Sequence, residues 1–455
     1  MSNRFRNMAL VVSMFAASCI GAHAQASQWN YNAYHIMDTI RTRHPDLVML
    51  AAHRGIHALW GSNQYPITPE NSLEAIQNAA DNGIEIVELD VRLTQDGVPI
   101  LTHDSTWGRE TDVGWAWAAC TSYTGCFDPW GPLPGLTVPD GDPGELGGGA
   151  DAPTDPQKAV NPNVNDWSLY SVQQAPAQVD NAIHGILLRN SLNFQISPWG
   201  ENPPTLQNAL DYIRTNQLNI VVSLDIKDSN SMQAAWEVVA RNNDYKGEGY
   251  FATTFFKFDA ASVFPWPSDF EAAFSDYYAG GRNPDYDYIN IMPVYQTSGI
   301  APGKYGSEAQ ELASMQAYIT GNVAATVGTE VNLKQNPGIL SSLYNWGDTS
   351  GPGGTIGRAL GNFNPYAEYI ADGADQSNYN NYQYFYSNGY CCAFLTGYFY
   401  NGAPNGQPSD TQDQRPDWDF ILANRNGFNL ITTDNVLPMG QYLYNRGQRN
   451  GSYFQ

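Results

Sequence analysis

Between Ala51 and Asp112 the chain reads AAHRGIHALWGSNQYPITPENSLEAIQNAADNGIEIVELDVRLTQDGVPILTHDSTWGRETD, and these 62 residues limit the fold more than any other stretch. Val48–Ala52 is a short apolar run ending at His53-Arg54-Gly55, which predicts a buried strand with a polar turn at its tip. Glu70–Gly83 places Leu73, Ile76, Ala79 and Ala80 at helical spacing and stops at Gly83. Ile84–Val91 predicts a second strand, and Pro99–Thr102 a third, reached through the turn Gln95-Asp96-Gly97. Chemistry-bearing side chains gather at the strand ends: His53 and Arg54, then Glu88 and Asp90, then His103 and Asp104. Glu88 and Asp90 stand two apart on a strand and so share a face. Buried carboxylates without a partner are costly, and a metal cation removes that cost. Two histidines and clustered carboxylates are the parts of metal-assisted acid–base chemistry.

Beyond this stretch Pro204–Asn216, Gln233–Arg241 and Glu308–Ile319 read as helices, while Asn219–Lys227, Tyr250–Phe256 and Tyr288–Met292 read as strands. Trp418–Ala423, Phe428–Thr433 and Pro438–Arg446 give a helix–strand–helix ending. Two segments break the alternation. Around 113–203 lies a Pro/Gly/Asp-rich insertion, and around 337–414 a Gly/Asn/Tyr-rich one that is expected to form long loops over a barrel mouth. The alternation predicts an α/β fold, a (β/α)8 TIM barrel with large loop insertions over residues 25–455. In such a barrel the ends of the strands carry the site, and Asp225 in SLDIK supplies a third carboxylate there, with Lys227 facing the same way. Hard oxygen ligands suit Ca²⁺ or Mg²⁺.

HRG, PEN, E-x-D, T-x-DG and HD, in this order within residues 51–112, resemble the glycerophosphodiester phosphodiesterase family. The resemblance implies that His53 and His103 form the acid–base pair, one taking a proton from the attacking hydroxyl and the other protonating the leaving oxygen. It implies metal ligation by Glu88, Asp90 and Asp225, with Glu70 of PEN either a further ligand or a helix N-terminal carboxylate. Arg54, a fixed cationic fork, and Lys227, a point charge, would bind the phosphate of a small-molecule phosphodiester. The resemblance also implies that a neighbouring hydroxyl of the substrate attacks phosphorus, giving a cyclic phosphate that water can open. Three departures stand out. The family usually carries Glu at Asp225, and the D-x-K version is similar to the spider-type phospholipase D (sphingomyelinase D) toxins. GFNLITTDN resembles the family's closing G-x-D-x-I-x-TD-x-P strand and would put Asp434 near the mouth in a structural role, but Val436 follows, with Pro438 later. The W-T-x-N strand has no place in the sequence.

Met1–Ala24 reads as a secretory leader, with Arg4 and Arg6 before an apolar run and Ala22-His23-Ala24 as the cleavage pattern. A lipoprotein reading, with Cys19 acylated, has Ala16 where such signals usually carry Leu. Losing the leader leaves 431 of the 455 residues and moves the formal charge from −23 to −25, which disfavours nucleic acid and anionic membrane surfaces as partners. Export also favours Ca²⁺ over Mg²⁺ and is consistent with disulfides. Cys120 with Cys126 closes a short loop, and two bridges from this loop to Cys391 and Cys392 are the alternative. His35, His44, His57 and His184 have no motif around them and read as structural or exposed. Two other functions are weighed: a phospholipase D-like enzyme acting on lysophospholipids, and a secreted binding protein that has lost catalysis, against which the intact His53, His103, Glu88, Asp90, Asp225 and Lys227 argue.

Overall fold

The computed structural model describes residues 31–40, 44, 46–58, 65, 67–105, 107, 110–111, 163–174, 185–188, 196–274, 289–296, 305–306, 308–320, 325–332, 366–368, 393–394, 408–409, 430–434 and 436–455. The expected leader, Cys19, Cys120, Cys126, Cys391, Cys392, His184 and Trp418–Ala423 lie outside these residues.

The strands are β1 Met49–Ala52, β2 Ile86–Leu93, β3 Pro99–Leu101, β4 Val221–Ile226, β5 Thr254–Asp259, β6 Asn290–Gln296, β7 Ala325–Thr326, β8 Glu330–Asn332, β9 Tyr366–Glu368, β10 Ala393–Phe394, β11 Pro408–Ser409 and β12 Leu430–Thr433. Parallel pairing runs β1–β12–β9–β8–β6–β5–β4–β2, and β2 pairs back onto β1, so the sheet closes on itself as an eight-membered ring. β7 lies on β6 beside β8 and fills the same position in the ring. β3 is antiparallel to β2 and hangs outside the ring, while β10 and β11 form a separate antiparallel pair.

Helices follow the strands: α1 Ala33–Ile40 precedes β1, then come α2 Leu73–Asp81, α3 Leu169–Gln174, α4 Leu206–Thr215, α5 Ser229–Arg241, α6 Pro267–Ala273, α7 Glu308–Thr320 and α8 Val436–Asn445. Caps set their starts. Ser72 accepts from Ala75 N–H, and Thr205 forms a reciprocal box with Asn208. No helix among the described residues is long and apolar enough to cross a membrane.

Alternation along the strands divides the core in two. Leu50, Ala52, Val87, Leu89, Val222, Leu224, Phe256 and Phe258 face outward and pack under the helices. Met49, Ala51, Ile86, Val221, Phe255, Met292 and Leu430 face inward and fill the base of the barrel, plugged by Ile36, Met37 and Phe454. Moving two residues up each strand turns the interior polar. Ala51 gives way to His53, Ile86 to Glu88 and Asp90, Val221 to Ser223 and Asp225, and Phe255 to Lys257. Register fixes this upper layer, because Asp90 pairs with Asp225 and Asp225 with Lys257 across neighbouring strands.

Both insertions hold structure. In the first, Val164, Trp167, Val172 and Ile186 pack with Ile100 and Trp107 as a small satellite core. Within 337–414, read as loops, β9 is a member of the ring itself. A three-residue strand in a Tyr- and Asn-rich context has no apolar run to announce it. The strand read at Tyr250–Phe256 starts later, at Thr254, because Tyr250–Thr253 form a 3₁₀ turn.

Candidate active site

β1 ends at Ala52 and the chain turns sharply through Arg54 and Gly55, whose φ values are +56° and +79°. Only glycine fits the second position, since a Cβ there would lie 2.6 Å from the Ala75 Cβ. A left-handed arginine is uncommon, and the turn uses it: Arg54 N–H donates to Glu88 Oε2 at 2.8 Å, and its carbonyl accepts from Asn71 N–H at 3.0 Å. Asn71, itself at φ +56°, donates through Nδ2 to Asp90 Oδ2 at 3.0 Å and accepts the Asp90 N–H at 2.9 Å. The HRG, PEN and E-x-D motifs are thus one hydrogen-bonded unit.

Glu88, Asp90 and Asp225 bring carboxylate oxygens to within 4.8 Å of one another and could hold a metal ion. Lys227 Nζ lies 2.7 Å from Asp90 Oδ1 and 3.0 Å from Asp225 Oδ2. Against the upward pull of burial, Lys227, His103 and Arg54 hold Asp90 well below the usual carboxylate range. Glu88 goes the other way: burial raises it, Lys257 opposes, and Asp90 and Asp225 add to the rise. Crowded like charges of this kind favour an added cation. The ion-pair network joins five carboxylates, Glu70, Glu88, Asp90, Asp225 and Glu330, to three cations, Arg54, Lys227 and Lys257. Two negative charges are left over, and the donors are hard oxygens, so the residues fit a divalent ion.

Glu70 stands apart from these three carboxylates, its Oε1 accepting from Arg54 Nη1 at 2.8 Å. It also precedes the Ser72 cap and lies outside the first turn of α2, where the acidic residue is Glu74. Arg54 is 1% exposed and its guanidinium engages Glu70 and, through Nε, Asp90 at 3.2 Å. Lys227, whose side chain is 20% exposed, is the more accessible cation.

His53 Nδ1 lies 2.8 Å from Asp434 Oδ1, brought there because β1 and β12 are parallel neighbours with Ala52 opposite Thr433. Burial and Arg54 oppose a charge on His53, but Asp434 with Glu88 outweighs them, and its pKa rises to about 9. Despite burial, the His53 charge and hydrogen bonds from His53 and His57 hold Asp434 well below the carboxylate range. His103 follows β3, and its charge acts on Asp90; its Nδ1 lies 2.8 Å from Asp104 Oδ1. Glu110 braces this turn, accepting the N–H groups of His103 and Asp104 at 3.1 and 3.0 Å and the Thr102 hydroxyl at 3.1 Å.

Four residues of this site had no motif in the sequence. Glu110 supports the His103 turn. Lys257 faces Glu88 at 3.5 Å and Glu330 at 3.0 Å, all three buried. His57, read as structural or exposed, is 3% exposed with Nε2 3.3 Å from Asp434.

A sequence profile described as "Glycerophosphoryl diester phosphodiesterase family" matches residues 23–254. Glycerophosphodiester phosphodiesterase 1 of Rattus norvegicus is 51% identical over 67 residues, 15% of this chain and 18% of that protein. Lysophospholipase D GDPD3 of Mus musculus is 31% identical over 100 residues, 22% of this chain and 27% of that protein. The matches therefore span less than a third of either relative's length. A phosphodiesterase of Oleispira antarctica, solved with the product sn-glycerol-3-phosphate, superposes with a TM-score of 0.41 at 15% identity, covering 88% of this chain and 97% of that one. A glycerophosphoryl diester phosphodiesterase from Parabacteroides distasonis gives 0.46 at 14% identity, covering 93% and 96%.

Proposed function

Because the chain belongs to the glycerophosphoryl diester phosphodiesterase family, we propose that it is a metal-dependent phosphoric diester hydrolase that cleaves small glycerophosphodiesters to glycerol phosphate and an alcohol. One observation carries this reading: three carboxylates converge within 4.8 Å at the polar end of the barrel, beside two carboxylate-backed histidines.

Glu88, Asp90 and Asp225 would hold the cation, Ca²⁺ in preference to Mg²⁺ for an exported protein. When bound, it supplies Lewis acidity at the phosphoryl oxygens. Lys227, whose Nζ lies beside the same carboxylates, would meet a phosphate oxygen there. Glu70 holds Arg54, whose backbone N–H in turn fixes Glu88. His53 and His103 exchange protons with the attacking glycerol hydroxyl and the leaving oxygen. Asp434 favours the protonated form of His53, which suits it to the leaving oxygen. Met1–Ala24 would direct export, leaving the acidic mature protein with small soluble substrates in preference to anionic membranes.

The test is to incubate purified protein with glycerophosphocholine, glycerophosphoglycerol, lysophosphatidylcholine and sphingomyelin, with Ca²⁺ or with a chelator, and to follow products by phosphorus NMR. Glycerol phosphate from the first two, lost on chelation and regained with Ca²⁺ or Mg²⁺, is the expected outcome. Full turnover by metal-stripped protein would remove Glu88, Asp90 and Asp225 from the role given them. Faster cleavage of lysophosphatidylcholine would favour the second reading, a lysophospholipase D, which the relative of that name and the D-x-K spacing support.

A further inference from the structure

Asp434 Oδ1 accepts two imidazoles at once, Nδ1 of His53 at 2.8 Å and Nε2 of His57 at 3.3 Å. The turn through Arg54 and Gly55 makes this possible, folding the chain back so that two histidines four residues apart reach one oxygen. Gly55 N–H to the Ala52 carbonyl at 3.0 Å and Ile56 N–H to the Ala75 carbonyl at 3.1 Å hold that path. The His57 side chain is 1% exposed and the Asp434 side chain fully buried, whereas the His53 side chain keeps 9% of its surface open. His57 Nδ1 lies 3.2 Å from the Ala58 carbonyl oxygen.

We propose that His57 is a positioning residue for this reaction: it clamps the Asp434 carboxylate that orients His53. The inference rests on the acid–base role given to His53 above. A carboxylate can only accept hydrogen bonds, so hydrogens lie on His57 Nε2 and His53 Nδ1, and His53 is left to work through Nε2. A contact from His53 alone fixes a distance. A second donor at the same oxygen also fixes where that oxygen sits, and with it the direction of the His53 ring. Misplacing a proton-transfer group by a fraction of an ångström lowers turnover while leaving binding intact.

The test compares His57→Ala, His57→Asn and His57→Gln with Asp434→Asn and the double variant His57→Ala/Asp434→Asn. His57→Ala should lower kcat about tenfold with KM within about twofold, the low end of what losing an orienting partner costs. Gln reaches far enough to donate to Asp434 and should restore most of the loss; Asn, one methylene shorter, should not. In the Asp434→Asn background, His57→Ala should cost nothing further. If His57→Ala fails to fold, the Asn and Gln variants carry the comparison. Independently of turnover, ¹⁵N NMR of labelled histidines should show the His53 ring signals perturbed by His57→Asn and unperturbed by His57→Gln. This arm reads positioning even if the protein hydrolyses no glycerophosphodiester. Wild-type kcat in His57→Ala, equal losses with Asn and Gln, additivity with Asp434→Asn, or His53 signals indifferent to residue 57 would each overturn the proposal.

Discussion

The two histidine turns of the site are built on opposite plans. At the His103 turn the orienting carboxylate is the next residue, Asp104, and the brace, Glu110, is seven residues on. At the His53 turn the carboxylate is Asp434, 381 residues away, and it arrives only because β12 pairs with β1. One turn is local and can form before the barrel closes. The other is a product of closure, so it reports on the whole ring.

The largest effect should be common to both turns. His53→Ala and His103→Ala should each lower kcat about 10²- to 10⁴-fold without unfolding the protein, as expected of acid–base groups. Near-normal turnover in either would remove that histidine from the mechanism and with it half of the comparison. The carboxylates should then separate the turns. Asp434→Asn should cost about 10- to 100-fold, the scale on which an orienting partner acts. Asp104→Asn should cost less, because Glu110 still fixes the backbone of residues 103 and 104. Equal losses would mean that distance along the chain has no bearing on how each histidine is held.

Titration sharpens the contrast. Asp434 contributes to raising His53 to about 9, against burial and the Arg54 charge. In Asp434→Asn that opposition dominates, and the NMR-measured pKa of His53 should fall toward or below its ordinary 6.5. A value unchanged near 9 would assign the rise to Glu88 instead. Since the folded value lies above the ordinary one, the His53 contribution to stability is full below about 6.5 and fades as pH rises through about 9. The smallest effect is expected from Glu110→Gln, about threefold on kcat or about 0.7 kcal/mol, because an amide oxygen still accepts from the turn.

The local turn is also the one that could be read in advance. His103-Asp104, Glu88-x-Asp90 and Asp225-x-Lys227 carry their meaning in short spacing on strands, and the family profile stops at residue 254, just past them. Lys257 sits in TTFFKF and Glu330 in VGTEVN, neither in any motif, and only the ring brings both to Glu88. Asp434 was legible as a residue near the mouth but not as the partner of His53, since pairing of the first and last strands of a ring leaves no periodic trace. Glu110 and His57 show the same limit at short range: their roles depend on how tightly a turn folds back. Within 337–414, β9 is three residues of a ring that needs no more than that to be continuous.

The closing of β12 against β1 has a consequence in time. Asp434 is synthesised 381 residues after the histidine it serves. A chain emerging from the ribosome can bury α2 against β1 and β2, and can gather Glu88, Asp90 and Asp225, while His53 still lacks its carboxylate. If His53 acts as proposed, full turnover comes only once the final strand stands between β9 and β1. On the proposed roles, the order of synthesis leaves His53 without its orienting carboxylate until the last strand docks.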